Sequence, residues 1–298
     1  MTSVPLSRVA NHAAVNPADD SVLRAAFRYY YLSSRQVCRL LYSPGSLTYV
    51  QTKLKQLTDS GLLQRIWLPR LSPHGSAPSV YTLARKGLNY LASVGIDIDR
   101  RRYRPSEQRE FTYLFLGHTL AVNDVLISAE LLCRARPEFR LAQMLHERDL
   151  KRRPVRAEDD DGRAIAVVPD GWLDLRVNGA YQVCLALELD RGTEEQKVWR
   201  RKVRGLLAYA NGPYQDAFQT RSLTIAVVAT SGDARLLQLL RWTESELAAM
   251  KEEGRGDLFV FTGLRAELVG LTDLFCSRRW RQPFGEQSIA LLDPLQEP

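Results

Sequence analysis

The sequence predicts a mixed α/β chain in two parts: a small helical unit closed by a two-stranded hairpin, then a larger unit on a mixed sheet. Three observations predict it. Residues 1–95 read as three helices, two short strands and a closing helix. From 110 onward, long apolar helical runs alternate with strand-like runs. The charge balance also changes between the parts. Residues 1–95 carry eleven Lys and Arg against three Asp and no Glu, while the rest carries 30 basic and 31 acidic residues, so the net +7 belongs to the N-terminal third. A polyanion is expected to bind there, and 298 residues accommodate two domains.

Residues 19–31 open with two acids suited to a helix N-terminus and continue with apolar spacing. Ser33 and Ser34 suit the cap of a second helix with Val37, Leu40 and Leu41 facing inward. Ser43-Pro44-Gly45 is a turn. A third helix starts at Ser46 or Thr48 and stops at Gly61, with Val50, Leu54 and Leu57 inward. Its other face offers Gln51, Thr52, Lys53, Lys55 and Gln56. Strands at 62–69 and 79–84 flank a loop rich in turn formers, where His74 reads as a solvated residue, and a helix over 85–95 closes the unit. Three helices and a hairpin is the winged helix-turn-helix order. Its third helix enters the major groove of double-stranded DNA, with Lys53 and Lys55 on phosphates and Gln51, Thr52 and Gln56 within reach of base edges. The alternative is a protein-docking module.

Residues 96–109 hold five Arg and one Pro with little apolar content, and read as a basic linker. The second domain, 110–298, opens with an apolar helix over 110–134, in which His118 reads as structural. A strand over 139–150 and a charged loop follow, the acids Glu158 to Asp161 being solvated. Strands over 164–177 and 180–190 precede a helix over 194–210. A buried strand, a helix and a last strand complete the sheet. Arg278 to Arg281 either cover a sheet edge or touch DNA.

Asp170, Glu188 and Asp190 stand where two strands end, and side-chain parity decides whether they meet. Along 181–190, Cys184, Ala186, Glu188 and Asp190 share one face. Along 170–177, Asp170, Trp172 and Asp174 share one face. A two-residue turn at Asn178-Gly179 sets Asp170 opposite Leu187 and splits the acids. An odd-length loop, with Gly179 in the left-handed conformation of a bulge, sets leucines against leucines and joins Asp170 to Glu188 and Asp190. In the next helix Thr193 caps, with Gln196 completing a capping box. Trp199, Val203, Leu206 and Ala210 form its buried stripe, and Lys202 borders that stripe facing the acids. Carboxylates so placed suit Mg²⁺ or Mn²⁺, which activates water and stabilises charge on a phosphate, while Lys202 orients the water or neutralises the phosphate. The opposing reading is a structural network in which residues 190–193 form a helix-entry turn and an arginine holds Glu188.

Cys38, Cys133, Cys184 and Cys276 lie far apart, with no CxxC pair. They read as reduced, mostly buried thiols, which disfavours zinc. No apolar run approaches the roughly 20 residues of a membrane span, and the N-terminus lacks a signal-peptide core. A cytoplasmic protein with no membrane partner is expected.

With these residues assembled, the chain resembles the replication-relaxation family of plasmids and other mobile elements of bacteria. The matching stretches are DSGLLQR, VYTLARKGLNYL, GHTLAVNDV, VPDGWLDL, LELDRGTE and KVRGLLAYA, spread over roughly residues 20–230. The resemblance implies a role in plasmid replication and DNA relaxation, with replication or relaxation proteins as partners; a homodimer stays open. The second domain also resembles the PD-(D/E)xK nuclease fold, which is restriction-endonuclease-like. That resemblance implies Asp170 as the first acid and Glu188 as the second. The lysine expected two residues later is Asp190 here, so Lys202 stands in or the domain is an inactive scaffold. Three functions follow: a non-catalytic replication or transcription factor, a Mg²⁺-dependent endonuclease or nickase, or a partner-docking protein.

Overall fold

The computed structural model describes residues 15–69, 79–98, 113–159, 162–264 and 274–293. The chain is mixed α/β and divides into two compact units, Met1–Leu116 and Gly117–Pro298. Residues 99–109 of the expected linker over 96–109, the hairpin loop with His74, Asp160, Asp161 and the first fourteen residues lie outside the described residues.

In the first unit, α1 (Pro17–Tyr29) begins at a capping box in which Asn16 and Asp19 satisfy each other's backbone. Strand β1 (Leu32–Ser33) leads into α2 (Ser34–Leu41), capped by Ser33 and Gln36 in the same way. Val37 and Leu40 are buried, whereas Leu41 is half-buried. Helix α3 (Leu47–Asp59) buries Val50, Leu54 and Leu57. It ends in a Schellman motif: the Leu62 N–H donates to Leu57 O and the Gly61 N–H to Thr58 O, with Gly61 at φ +73°. Strands β2 (Leu63–Trp67) and β3 (Ser79–Leu83) pair antiparallel, and β1 adds to the far side of β3. Helix α4 (Arg85–Ser93) closes the unit. It packs tightly because Gly87 has no side chain: a Cβ there would sit 2.2 Å from Leu62 O.

In the second unit, α5 (Tyr113–Ala135) precedes a seven-stranded sheet. Its strands are β4 (Phe139–His146), β7 (Gly171–Val177), β8 (Tyr181–Asp190), β9 (Thr224–Ala229), β10 (Phe259–Gly263), β11 (Trp280–Arg281) and β12 (Ser288–Ile289). The spatial order is β12-β11-β10-β9-β8-β7-β4, parallel across β8-β9-β10 and antiparallel elsewhere. Strand β4 carries a bulge between Leu141 and Gln143. Helices α7 (Gln196–Ala210) and α9 (Asp233–Met250) cover the face of Cys184 and Ala186 and bury Trp199, Val203, Leu206 and Leu239 there. Trp199 donates its indole N–H to Thr243 Oγ1 at 2.9 Å, which satisfies the polar atom of that ring. The opposite face belongs to α5: a Cβ on Gly171 would meet Leu126 at 3.4 Å.

Several expectations change. The strand expected over 139–150 ends at His146, and α6 (Glu147–Arg152) follows. The charged loop and the start of the next strand instead form a small hairpin, β5 (Val155–Glu158) with β6 (Ala164–Val167). Helix α7 starts at Gln196 with Glu195 at the cap position and no side-chain cap, so Thr193 does not cap it. Helix α5, 23 residues at mean hydropathy 1.3, is long and apolar enough to cross a membrane, against the expectation of no such run. Half of its apolar window is buried inside the protein, Val122, Val125, Leu126 and Ile127 among it. Strand β11 covers the β10 edge, with Trp280 buried. All four cysteines are thiols, Cys38 and Cys184 buried and the other two half-buried.

Candidate functional site

Sheet register brings three carboxylates into one row. The hairpin between β7 and β8 pairs Val177 with Tyr181, leaving residues 178–180 as a three-residue loop. Asn178 and Gly179 both take positive φ, 51° and 67°, and the Ala180 N–H donates to Val177 O. This is the odd-length connection that parity requires. Leu173 faces Leu185, Gly171 faces Leu187, and Asp170 comes level with Glu188. On the other side His146 pairs with Gly171, so Glu147 comes level with Asp170, and the Glu147 N–H donates to Asp170 O at 3.1 Å. Strands β4, β7 and β8 thus deliver Glu147, Asp170 and Glu188 side by side, and all three residues are buried.

Each carboxyl in the row has its own cation. Asp170 Oδ2 accepts the Leu189 N–H at 2.7 Å, and Oδ1 lies 3.1 Å from Nε2 of His118. Burial works against ionisation of Asp170, yet the His118 hydrogen bond and the Lys202 charge hold it below the usual carboxylate range. Burial likewise opposes charge on His118, but Asp170 lifts its pKa above the ordinary value. His118 thus stands beside the row, its ring against Asp170. Lys202 Nζ lies 2.8 Å from Glu188 Oε2 and 2.9 Å from Glu194 Oε1. Burial pushes the Glu188 carboxyl up to about 7, outweighing the pull of Lys202. The side chains of His118 and Lys202 are 25% and 29% exposed, so the row opens to solvent through its cations.

Asp190 does not join them. Arg235 from α9 clamps it bidentately, Nε to Oδ2 at 2.8 Å and a terminal nitrogen to Oδ1 at 2.9 Å, and Oδ2 also accepts the Gly192 N–H at 2.7 Å. Burial raises its pKa, but the Arg235 and Gly192 hydrogen bonds prevail and hold it low. Both of its oxygens are committed, so the expectation of Asp190 as a metal ligand is replaced by a helix-entry turn locked by arginine. It is Asp190, not Glu188, that an arginine holds.

Oxygen and nitrogen donors for a divalent ion converge on the row. Ligand atoms of His118, Glu147 and Asp170 lie within 4.8 Å of one another. Glu147 Oε1 pairs with Lys151, while Glu147 Oε2 is buried with no hydrogen-bond partner among the described residues.

A family model described as replication-relaxation matches residues 28–228. The chain belongs to the replication-relaxation family. This ties it to replication or relaxation of plasmids or mobile elements. No curated protein and no solved structure matches it. The span that identifies the replication-relaxation chain contains α3, His118 and the whole carboxylate row with Lys202, whereas Arg235 lies beyond it.

In this replication-relaxation chain the outer face of α3 exposes Gln51, Thr52, Lys55 and Gln56. Lys55 pairs with Asp59 at 2.6 Å, both well exposed. Lys53 was expected on that face but is buried, its Nζ 2.8 Å from Asp19 Oδ1. This removes Lys53 from the phosphate-binding set. Tyr49 and Trp67 are the large exposed side chains here, and the Arg65 guanidinium stacks 3.6 Å over the Trp67 ring.

Sequence reasoning missed Glu147 and Arg235. Glu147 lay unremarked inside an expected strand, and its signal is a strand register that no local pattern carries. Arg235 stands 45 residues from Asp190. For His118, a lone imidazole in an apolar helix was the available signal.

Proposed function

We propose that the chain acts on double-stranded DNA during replication or relaxation of a mobile element. Its N-terminal unit, read as a winged helix, holds the duplex, and the carboxylate row of its nuclease-like second unit nicks one strand with a divalent cation. The observation that carries this reading is the convergence of Asp170, Glu188 and Lys202 from two adjacent strands and the following helix. Asp170 and Glu188 are the first and second acids of that pattern, and Lys202 supplies the cation from the helix. The lysine is thus replaced in space although Asp190 occupies its place in sequence.

The donor set fits Mg²⁺ or Mn²⁺, which take oxygen ligands and retain water. Such an ion lowers the pKa of bound water and neutralises charge on phosphate. Asp170 and Glu188 hold it, and Lys202 orients the water or balances the phosphate. Water oxygen adds to phosphorus, the P–O bond to one sugar oxygen breaks, and that oxygen leaves with a proton. Along α3, Lys55 exchanges Asp59 for a phosphate while Gln51, Thr52 and Gln56 face base edges.

Supercoiled plasmid incubated with Mg²⁺ or Mn²⁺ is expected to become nicked, and an Asp170→Ala/Glu188→Ala double variant to leave it intact. Equal nicking by both proteins would end the cutting reading. For DNA binding, Lys55→Ala is expected to flatten the salt dependence by about one unit of slope. Lys53→Ala is expected to leave the slope unchanged.

A second reading, a non-catalytic replication factor, draws on Lys202 being shared between Glu188 and Glu194. Salt-dependent DNA binding without nicking selects it. Loss of both leaves a partner-docking protein.

A further inference from the structure

The row holds one carboxylate more than the cutting reading uses, and beside it a nitrogen donor. Glu147 is brought level with Asp170 by the pairing of His146 with Gly171, and its N–H is bonded to Asp170 O. Its position is fixed further by the residue before it. The His146 ring caps α6 by accepting the Arg148 N–H at 3.1 Å, and the His146 N–H donates to Asp149 Oδ2 at 3.2 Å. Glu147 is 8% exposed, and its Oε2 is buried without a hydrogen-bond partner among the described residues. A buried carboxylate oxygen left so is desolvated without compensation, and a bound cation supplies the missing partner. Opposite, His118 Nε2 and Asp170 Oδ1 are 3.1 Å apart. Two adjacent ligands of one six-coordinate ion with bonds near 2.1 Å stand about 3 Å apart.

We propose that His118 Nε2, Glu147 Oε2 and Asp170 Oδ1 form a mixed nitrogen–oxygen site that takes a divalent transition-metal ion in preference to Mg²⁺. The proposal rests on the cutting reading for its purpose but not for its geometry. Imidazole nitrogen suits Fe²⁺, Ni²⁺ and Zn²⁺, and Mn²⁺, the first member of the same affinity order, also takes carboxylate oxygen, whereas Mg²⁺ favours oxygen ligands. The ion replaces the direct contact between His118 and Asp170. This moves Glu188, a ligand of the ion in the cutting reading, to the other side of Asp170, where it and Lys202 face the water or the phosphate.

The test uses Mn²⁺ added to the full chain without DNA. Electron paramagnetic resonance counts the bound ion, and electron spin echo modulation looks for ¹⁴N coupling. Wild-type protein is expected to bind one Mn²⁺ with ¹⁴N coupling, and to bind Mg²⁺ about tenfold more weakly or worse in competition. His118→Ala abolishes the coupling and the preference, Glu147→Gln weakens Mn²⁺ about tenfold or more, and Glu188→Gln changes affinity less than either. Bound Mn²⁺ without ¹⁴N coupling in the unaltered protein overturns the proposal, as does unchanged affinity in a folded Glu147→Gln variant. A coupled Mn²⁺ with no nicking overturns the cutting reading and leaves this site standing. Nicking with uncoupled metal does the reverse.

Discussion

Glu188 and Asp190 stand two residues apart on β8, on one face of the sheet, with 1% and 2% of their surfaces exposed. The rows they head behave oppositely. Glu188 belongs to a line of carboxylates met by single cations, and burial leaves its pKa near 7. Asp190 meets a planar guanidinium that occupies both of its oxygens, and its pKa falls. Both are nearly closed to solvent, and their partners differ in geometry. Arg235 fills every acceptor it faces and closes its row, whereas Lys202 is a point charge shared between two acids and leaves its row with binding capacity.

Breaking the closed row is expected to have the largest effect on folding. Arg235→Ala leaves Asp190 buried without its clamp and costs about 3–5 kcal/mol, measured by urea unfolding. Arg235→Lys recovers only part of this, because an ammonium does not form the fork. The open row answers differently. Lys202→Ala costs less stability, about 1–2 kcal/mol, because Glu188 can take up a proton. Nicking in the same variant falls about a hundredfold or more. Comparable losses of stability in the two variants would erase the distinction between the rows.

Titration sharpens the contrast. The raised pKa values of Glu188 and His118 mean that the folded chain keeps protons that the unfolded chain releases. Their stabilisation is complete below their ordinary values, 4.5 and 6.5, and is lost as pH rises through the folded ones, about 7 for Glu188. The lowered Asp170 and Asp190 contribute above their ordinary 3.8, so they add no slope between pH 5 and 8. The buried His146, held down at about 3, below its ordinary 6.5, opposes this trend at lower pH, so the melting temperature of metal-free protein is expected to fall from pH 7 to pH 8, and less steeply in Glu188→Gln. At the hairpin tip, away from both rows, Gly179→Ala at φ +67° costs about 1–2 kcal/mol, read as a shift of the urea midpoint with nicking unchanged.

Whatever depended on counting residues was legible. Alternation along 170–190 required an odd loop at Gly179, and helical angle placed Lys202 beside Glu188. The buried faces of α2, α3 and α7 were legible from spacing in the same way. What failed depended on partners far along the chain. Lys53 was assigned outward by its charge, but Asp19, 34 residues earlier, holds it inward. Thr193 had the pattern of a cap, yet the Gly192 N–H bonds to Asp190 and the helix begins three residues later. Glu147 and Arg235 act through β4 and α9, whose alignment with β8 is fixed only once the sheet is complete.

The bulge in β4 has its own bearing on the row. Between Leu141 and Gln143 one residue, Ala142, has no counterpart on β7. Were Ala142 instead paired with Asp174 in unbroken register, His146 rather than Glu147 would stand level with Asp170. One surplus alanine, five residues from the row, thus selects a carboxylate over an imidazole as Asp170's neighbour. A backbone bulge here sets donor chemistry with no substitution at the site: excising Ala142 would keep Glu147 in the row, whereas a strand straightened with Ala142 retained would offer a second nitrogen in place of an oxygen.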